Sequence, residues 1–130
     1  MLDTDICIEA LRRRSQPLLR RLSLHLPDEV GVSVITEAEL RFGAQNSALP
    51  ERNAAALEAF LQPFAILSFT REHVPVYAGL RVALERAGTR IGNLDMLIAA
   101  QAVALGLTVV TNNQREFRRV PGLRVENWLA

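Results

Sequence analysis

Four carboxylates, widely separated along the chain, share one local setting: Asp3, Glu39, Asp95 and Glu116. Each follows a short run of strand-forming residues or lies in the first turn of a helix beside one. Asp3 comes directly after Met1-Leu2, Glu39 after VGVSV, Asp95 at the head of LDMLIAAQAVAL, and Glu116 after TVVTNNQR. Acids gathered in one place repel one another and hold their protons unless a cation neutralises them. With hard oxygen donors and no Cys or His among them, Mg²⁺ or Mn²⁺ is favoured over zinc. Such an ion can activate water and stabilise charge at a phosphodiester under in-line attack.

Each acid also has a reading that needs no chemistry. Thr36-Glu37-Ala38-Glu39 and Asn113-Gln114-Arg115-Glu116 have the spacing of capping boxes, in which the glutamate only reaches back to a helix-end amide. Asp95, two positions after Asn93 as N-cap, would complement the helix dipole, and Asp3 and Asp5 would do the same for the first helix. Asp3 fits this reading least. It follows a strand that should be buried, where an unpartnered carboxylate is costly.

The elements that must position these acids follow from apolar periodicity. Met1-Leu2 reads as a very short strand, and residues 6–13 and 17–24 as helices. Residues 30–34 form a β-branched run, and 37–44 return to helix. Pro50 fits the first turn of a helix through Leu61, and 65–69 is a second apolar run. Val76, Leu80, Ala83, Leu84 and Ala87 share a helical face closed by Gly88. Leu94, Leu97, Ile98, Ala102 and Leu105 form a further stripe closed by Gly106; strands at 108–111 and 123–125 follow. Strands separated by helices imply right-handed crossovers and an α/β fold, a parallel sheet with helices on both faces. In such sheets the ligand site lies beyond the carboxyl ends of the strands, which is where the four acids fall.

At 130 residues the chain is expected to be a single domain, 1–130, large enough for a real core. Its apolar fraction of 49% argues against a disordered chain, and its formal charge of +1 says nothing about nucleic acid. All basic side chains are Arg, and Arg grips phosphate bidentately where Lys acts as a point charge. Cys7 is the only cysteine, so neither an intrachain disulfide nor a cysteine-rich zinc site is available. The opening MLDTDICIEALRRR lacks the apolar run of a secretory signal or membrane span, and a cytoplasmic location without membrane contact is expected.

At the same residues the chain resembles PIN-domain proteins, specifically the VapC toxins of bacterial toxin–antitoxin pairs. MLDTDICI is similar to the family's first-strand motif, which usually reads Asp-Thr-Asn; here the third residue is Asp5. SVITEAELRFGA resembles the segment carrying the second acid, matched by Glu39, and IGNLDMLIAAQA the segment carrying the third, matched by Asp95. LTVVTNNQREFRRVPGLRVENW resembles the closing strand and tail. The resemblance covers nearly the whole chain. It implies a PIN-like three-layer α/β/α fold with a parallel central sheet. It also implies Mg²⁺ dependence, with Mn²⁺ as an alternative, and endoribonuclease activity on structured RNA such as tRNA, leaving 5′-phosphate and 3′-hydroxyl ends.

By the same resemblance Asp3, Glu39 and Asp95 are catalytic metal ligands. Glu116 is less securely matched, because many members place an Asp soon after the fourth strand, where this chain has Asn112 and Asn113. Glu116 is therefore expected to ligate directly, through water, or only to orient the site. Thr4 and Asn113 would steady the ligating carboxylates by hydrogen bonds, and Asp5 would add charge beside the ion or take up a ligand position. Expected partners are a VapB-type antitoxin covering the acidic pocket, a second toxin copy, and DNA only through the antitoxin. The helical faces around 54–61 and of the first two helices are contact surfaces, or simply core.

Arg115, Arg118 and Arg119 stand near Glu116 and are the best residues to track an RNA backbone, although arginine runs often mark a solvated face. His25 and His73 read as surface or helix-end residues, Cys7 as a small buried hydrophobe, and Phe117 and Trp128 as packing groups. A haloacid-dehalogenase phosphatase is the enzyme alternative through Asp3-Thr4-Asp5, but the chain lacks Lys and Asp95 has no neighbouring acid. A PIN-like module that only binds RNA or a partner is the non-enzyme alternative; retention of three acids speaks against it.

Overall fold

The computed structural model describes residues 1–129. Four short strands, β1 (Gly31–Ser33), β2 (Ala65–Leu67), β3 (Thr108–Val110) and β4 (Arg124–Glu126), alternate with helices. The helices are α1 (Thr4–Arg12), α2 (Gln16–Ser23), α3 (Val34–Gln45), α4 (Pro50–Leu61), α5 (Val74–Arg86), α6 (Asn93–Leu105) and α7 (Gln114–Phe117). Strands β1 and β2 pair in parallel, as do β3 and β4. Leu2 joins the two pairs. It bridges in parallel to Val32 on one side and Val110 on the other, so one residue is the middle rung of the order β2–β1–Leu2–β3–β4. The expected parallel sheet and the very short opening strand are both present.

Alternation along the strands sends successive side chains to opposite faces, and each face has its own core. Leu2, Val32 and Val110 pack with Ile6, Leu18 and Leu57 on one side. Met1 and Val109 pack with Leu84, Ile98 and Phe117 on the other. This is the three-layer arrangement expected from the strand–helix alternation. Cys7, Phe117 and Trp128 are buried packing groups, as read from the sequence.

Several local readings need correction. Helix α3 begins at Val34 rather than Glu37, because Ser33 caps it: the Ser33 hydroxyl accepts the Ile35 amide proton at 3.1 Å. Helix α6 is capped at Gly92, so Asn93 is its first residue and not its cap. The stripe assigned to α6 is half right: Ile98 and Ala102 are buried and Leu97 half-buried, but Leu94 and Leu105 are exposed, while Met96, Ala99, Ala100 and Gln101 are also buried. The helix is apolar nearly all round, so periodicity could not choose its inward face. His73 stands at a helix end, one of the two readings given to it, but is buried rather than at the surface, its Nδ1 accepting the Thr70 amide proton at 3.1 Å. Gly106 closes α6 at φ 68°, the left-handed conformation its position predicts.

Candidate functional site

The carboxyl end of the sheet is built around Asp3. Because Leu2 lies between β1 and β3, the next residue emerges from the middle of the sheet. The Asp3 amide donates to the Val110 carbonyl at 2.9 Å, and its side chain is only 5% exposed. Asp3 also caps α1, with Oδ1 accepting the Thr4 amide proton at 2.8 Å. Its Oδ2 accepts from the Thr111 hydroxyl at 2.8 Å, and Thr111 Oγ1 in turn accepts the Asn113 amide proton at 2.9 Å. These bonds lock both oxygens in place but do not offset the desolvation. Burial, the charge of Asp5 and the charge of Asp95 hold the Asp3 carboxyl up at about 7.

The other acids stand around it. Asp95, in the first turn of α6, is raised to about 6 by burial and by the charges of Glu116, Glu39 and Asp5. Glu39 lies in the second turn of α3, its Oε1 accepting from the Thr4 hydroxyl at 2.8 Å. No capping box forms at Thr36; that buried threonine's hydroxyl instead lies 3.3 Å from the Thr4 hydroxyl, whose one proton goes to Glu39. Asp5 accepts the Asn112 amide proton on Oδ2 at 3.1 Å, while its buried Oδ1 has no hydrogen-bond partner. Burial also raises the Asp5 carboxyl.

Glu116, in α7, is not a capping-box residue either. Its Oε1 accepts the Gly92 amide proton and its Oε2 the Asn113 side-chain amide, each at 2.6 Å. A Cβ on residue 92 would sit 3.4 Å from Asp95 Oδ2 and 3.6 Å from Glu116 Oε1, so the two acids flank Gly92. The fold thus brings Asp3, Asp5, Glu39, Asp95 and Glu116 to one rim, with Thr4 and Asn113 bonded among them. Among the described residues no group of three or more His, Cys, Asp or Glu side chains is already spaced to hold a metal ion.

All the acidic donors are oxygen, the Asp3, Asp5 and Asp95 carboxyls are raised chiefly by burial, and one buried oxygen, Asp5 Oδ1, is orphaned. That donor set suits a hard divalent cation. Thr111 and Gly92 were missed in the sequence. The signal for Thr111 was its place at the end of the strand beside Asp3; nothing marked Gly92. Arg115 and Arg118 are exposed and make no ion pair among the described residues, whereas Arg119 donates to the Arg90 carbonyl at 3.0 Å.

Away from the sheet end, a groove of about 460 Å³ runs between α1, α3 and α4. Ile8, Leu11, Leu40 and Leu57 line it, and Thr4 and Glu39 lie at its border with the acidic rim. Both first-helix and 54–61 surfaces named from the sequence contribute to it.

Comparison with known proteins agrees with this architecture. The family model described as PIN domain matches residues 1–123. Ribonuclease VapC2 of Haemophilus influenzae (strain ATCC 51907 / DSM 11121 / KW20 / Rd) is 43% identical over 129 residues, spanning 99% of this chain and 97% of that protein. The tRNA(fMet)-specific endonuclease VapC of Salmonella typhimurium is 39% identical over 128 residues, spanning 98% and 96%. Among solved structures, VapBC2 from Rickettsia felis bound to a promoter DNA fragment contains a chain that superposes with a TM-score of 0.92 at 39% identity, covering 98% of this chain and 97% of that one.

Proposed function

The chain belongs to the PIN-domain family, among the VapC ribonucleases of toxin–antitoxin pairs, and from that premise we propose how its acidic rim cuts RNA. Asp3, Glu39 and Asp95 are the catalytic carboxylates and hold a divalent ion, Mg²⁺ or Mn²⁺, with Glu116 at the border of the same site. The observation that carries this reading is the buried Asp3 carboxyl at the middle of the sheet end, pushed up to about 7 by burial and by its acidic neighbours. A fold that spends stability on such a group has a use for it.

When bound, the cation would polarise the scissile phosphate and lower the pKa of the attacking water. The protein's own part is placement. Thr111 and the Thr4 amide fix Asp3, the Thr4 hydroxyl fixes Glu39, and Glu116 holds the Gly92 amide at the start of the helix that carries Asp95. Arg115 and Arg118 stand on the exposed side of α7 and just beyond it, where they would contact phosphates flanking the cleaved bond. Arg119 would join them with the guanidinium nitrogens not engaged by Arg90.

The substrate is a structured RNA, with tRNA as the leading class because two relatives carry that name. A VapB-type antitoxin would lay a segment in the groove between α1, α3 and α4 and cover the rim, DNA contact belonging to the antitoxin. A homodimer in the cytoplasm completes the proposal; no helix among the described residues is long and apolar enough to cross a membrane. The test is to express the wild type and Asp95→Asn and map the ends of cleaved cellular RNA. Cleavage at defined positions by the wild type alone is expected; the same cut sites from both proteins would remove Asp95 from the reaction.

A further inference from the structure

We propose that Asp5, rather than Glu116, supplies the fourth carboxylate to the divalent ion, and that Glu116 is a positioning residue tying down the start of the helix that carries Asp95. This rests on the metal-dependent reading above and assigns roles within it.

The two acids differ in what their oxygens already do. Both oxygens of Glu116 are engaged at 2.6 Å, one by the Gly92 amide and one by the Asn113 side chain. Gly92 is the cap of α6, so Glu116 holds the turn three residues ahead of Asp95. Arg119 makes a second tie between the same segments through the Arg90 carbonyl. Drawing Glu116 onto an ion would loosen this strap.

Asp5 is in the opposite condition. One oxygen accepts from the Asn112 amide, and the other is buried with no donor at all. A desolvated acceptor left without a partner costs about 1–3 kcal/mol, more when it is charged. Neighbouring residues of one segment hold the two acids, Thr111 bonding Asp3 and the Asn112 amide bonding Asp5, so both carboxyls stand at the same strand end. No donor from the protein serves that oxygen, whereas a cation shared with Asp3 and Asp95 would. An asparagine here would present an N–H to the neighbouring acids; aspartate presents another oxygen and another charge.

Full-length wild type, Asp5→Asn, Glu116→Gln and Asp95→Asn are titrated with Mn²⁺ at pH 7.5, free ion being read by electron paramagnetic resonance. Melting curves of the metal-free proteins establish that each is folded. Glu116→Gln keeps an oxygen for the Gly92 amide. Loss of a carboxylate ligand should weaken Mn²⁺ by about tenfold or more in Asp5→Asn, and the strap variant by less than about threefold. Unchanged Mn²⁺ affinity in Asp5→Asn, with affinity lost in Asp95→Asn, would overturn the role of Asp5. Equal weakening in Glu116→Gln and Asp5→Asn would overturn the division of labour. Undiminished affinity in Asp95→Asn would instead overturn the metal site itself.

Discussion

At the level of single residues, the buried Asp3 and its hydroxyl partner Thr111 carry the sharpest consequences. Thr111→Val removes the only side-chain donor to Asp3 and strands the Asn113 amide, at a cost of about 1–3 kcal/mol by urea denaturation. The raised carboxyls of Asp3 and Asp95 set the sign of the pH dependence. Folded protein binds protons that the unfolded chain, with ordinary carboxyls near 3.8, has already released. Their contribution to stability is therefore complete below about pH 4 and is lost as pH rises through about 6 and 7. Metal-free protein should melt higher at pH 5.5 than at pH 8, and saturating Mn²⁺ should flatten that profile; a metal-free melting point that climbs with pH would contradict the assignment. The acids were legible as types and positions at strand ends. Their partners were not, because a threonine at a strand end looks alike whether it faces solvent or a buried carboxylate, and only the sheet register decides.

At the level of elements, the sequence disclosed helices wherever a cap or a stripe was unambiguous and failed where two signals competed. Pro50 marked the start of α4, and Gly106 the end of α6. Thr36 with Glu39 imitated a capping box and hid Ser33, the true cap, because both patterns begin with a hydroxyl after a β-branched run. Helix α6 could not be phased, since small and apolar residues surround it on all sides. Arg13 ends α1 in the left-handed region, φ 53°, and is the sole non-glycine residue there among the described ones. Arg13→Gly should stabilise the fold by about 0.5–1 kcal/mol, read as a rise in the denaturation midpoint with no change in slope. Gly92 gives the converse case. Its φ of −57° suits any residue, so Gly92→Ala should change stability by less than about 1 kcal/mol. The added methyl would meet Asp95 and Glu116 at ordinary van der Waals distance, so cleavage should change as little as stability does.

At the level of the whole molecule, a chain of formal charge +1 must hold nucleic acid through a local patch rather than a general field. Replacing Arg115 and Arg118 together by Ala should weaken RNA binding and lower the slope of log affinity against log salt by about 1–2. The positions of cleavage should stay where they were, because phosphate contacts carry no sequence information. An unaltered salt slope would place the RNA elsewhere on the surface. The apolar groove beside the rim offers a separate surface, so nucleic acid and a protein inhibitor need not compete for every contact.

The single-residue rung at Leu2 makes distant stretches of the chain interdependent. Leu2 bridges to Val110, and Asp3 takes its hydroxyl donor from Thr111, so the strand that completes the sheet also completes the setting of the buried acid. Displacing that strand would unpair Leu2 on one side and leave Asp3 Oδ2 without its bond in the same event, so loss of sheet order and loss of the site coincide.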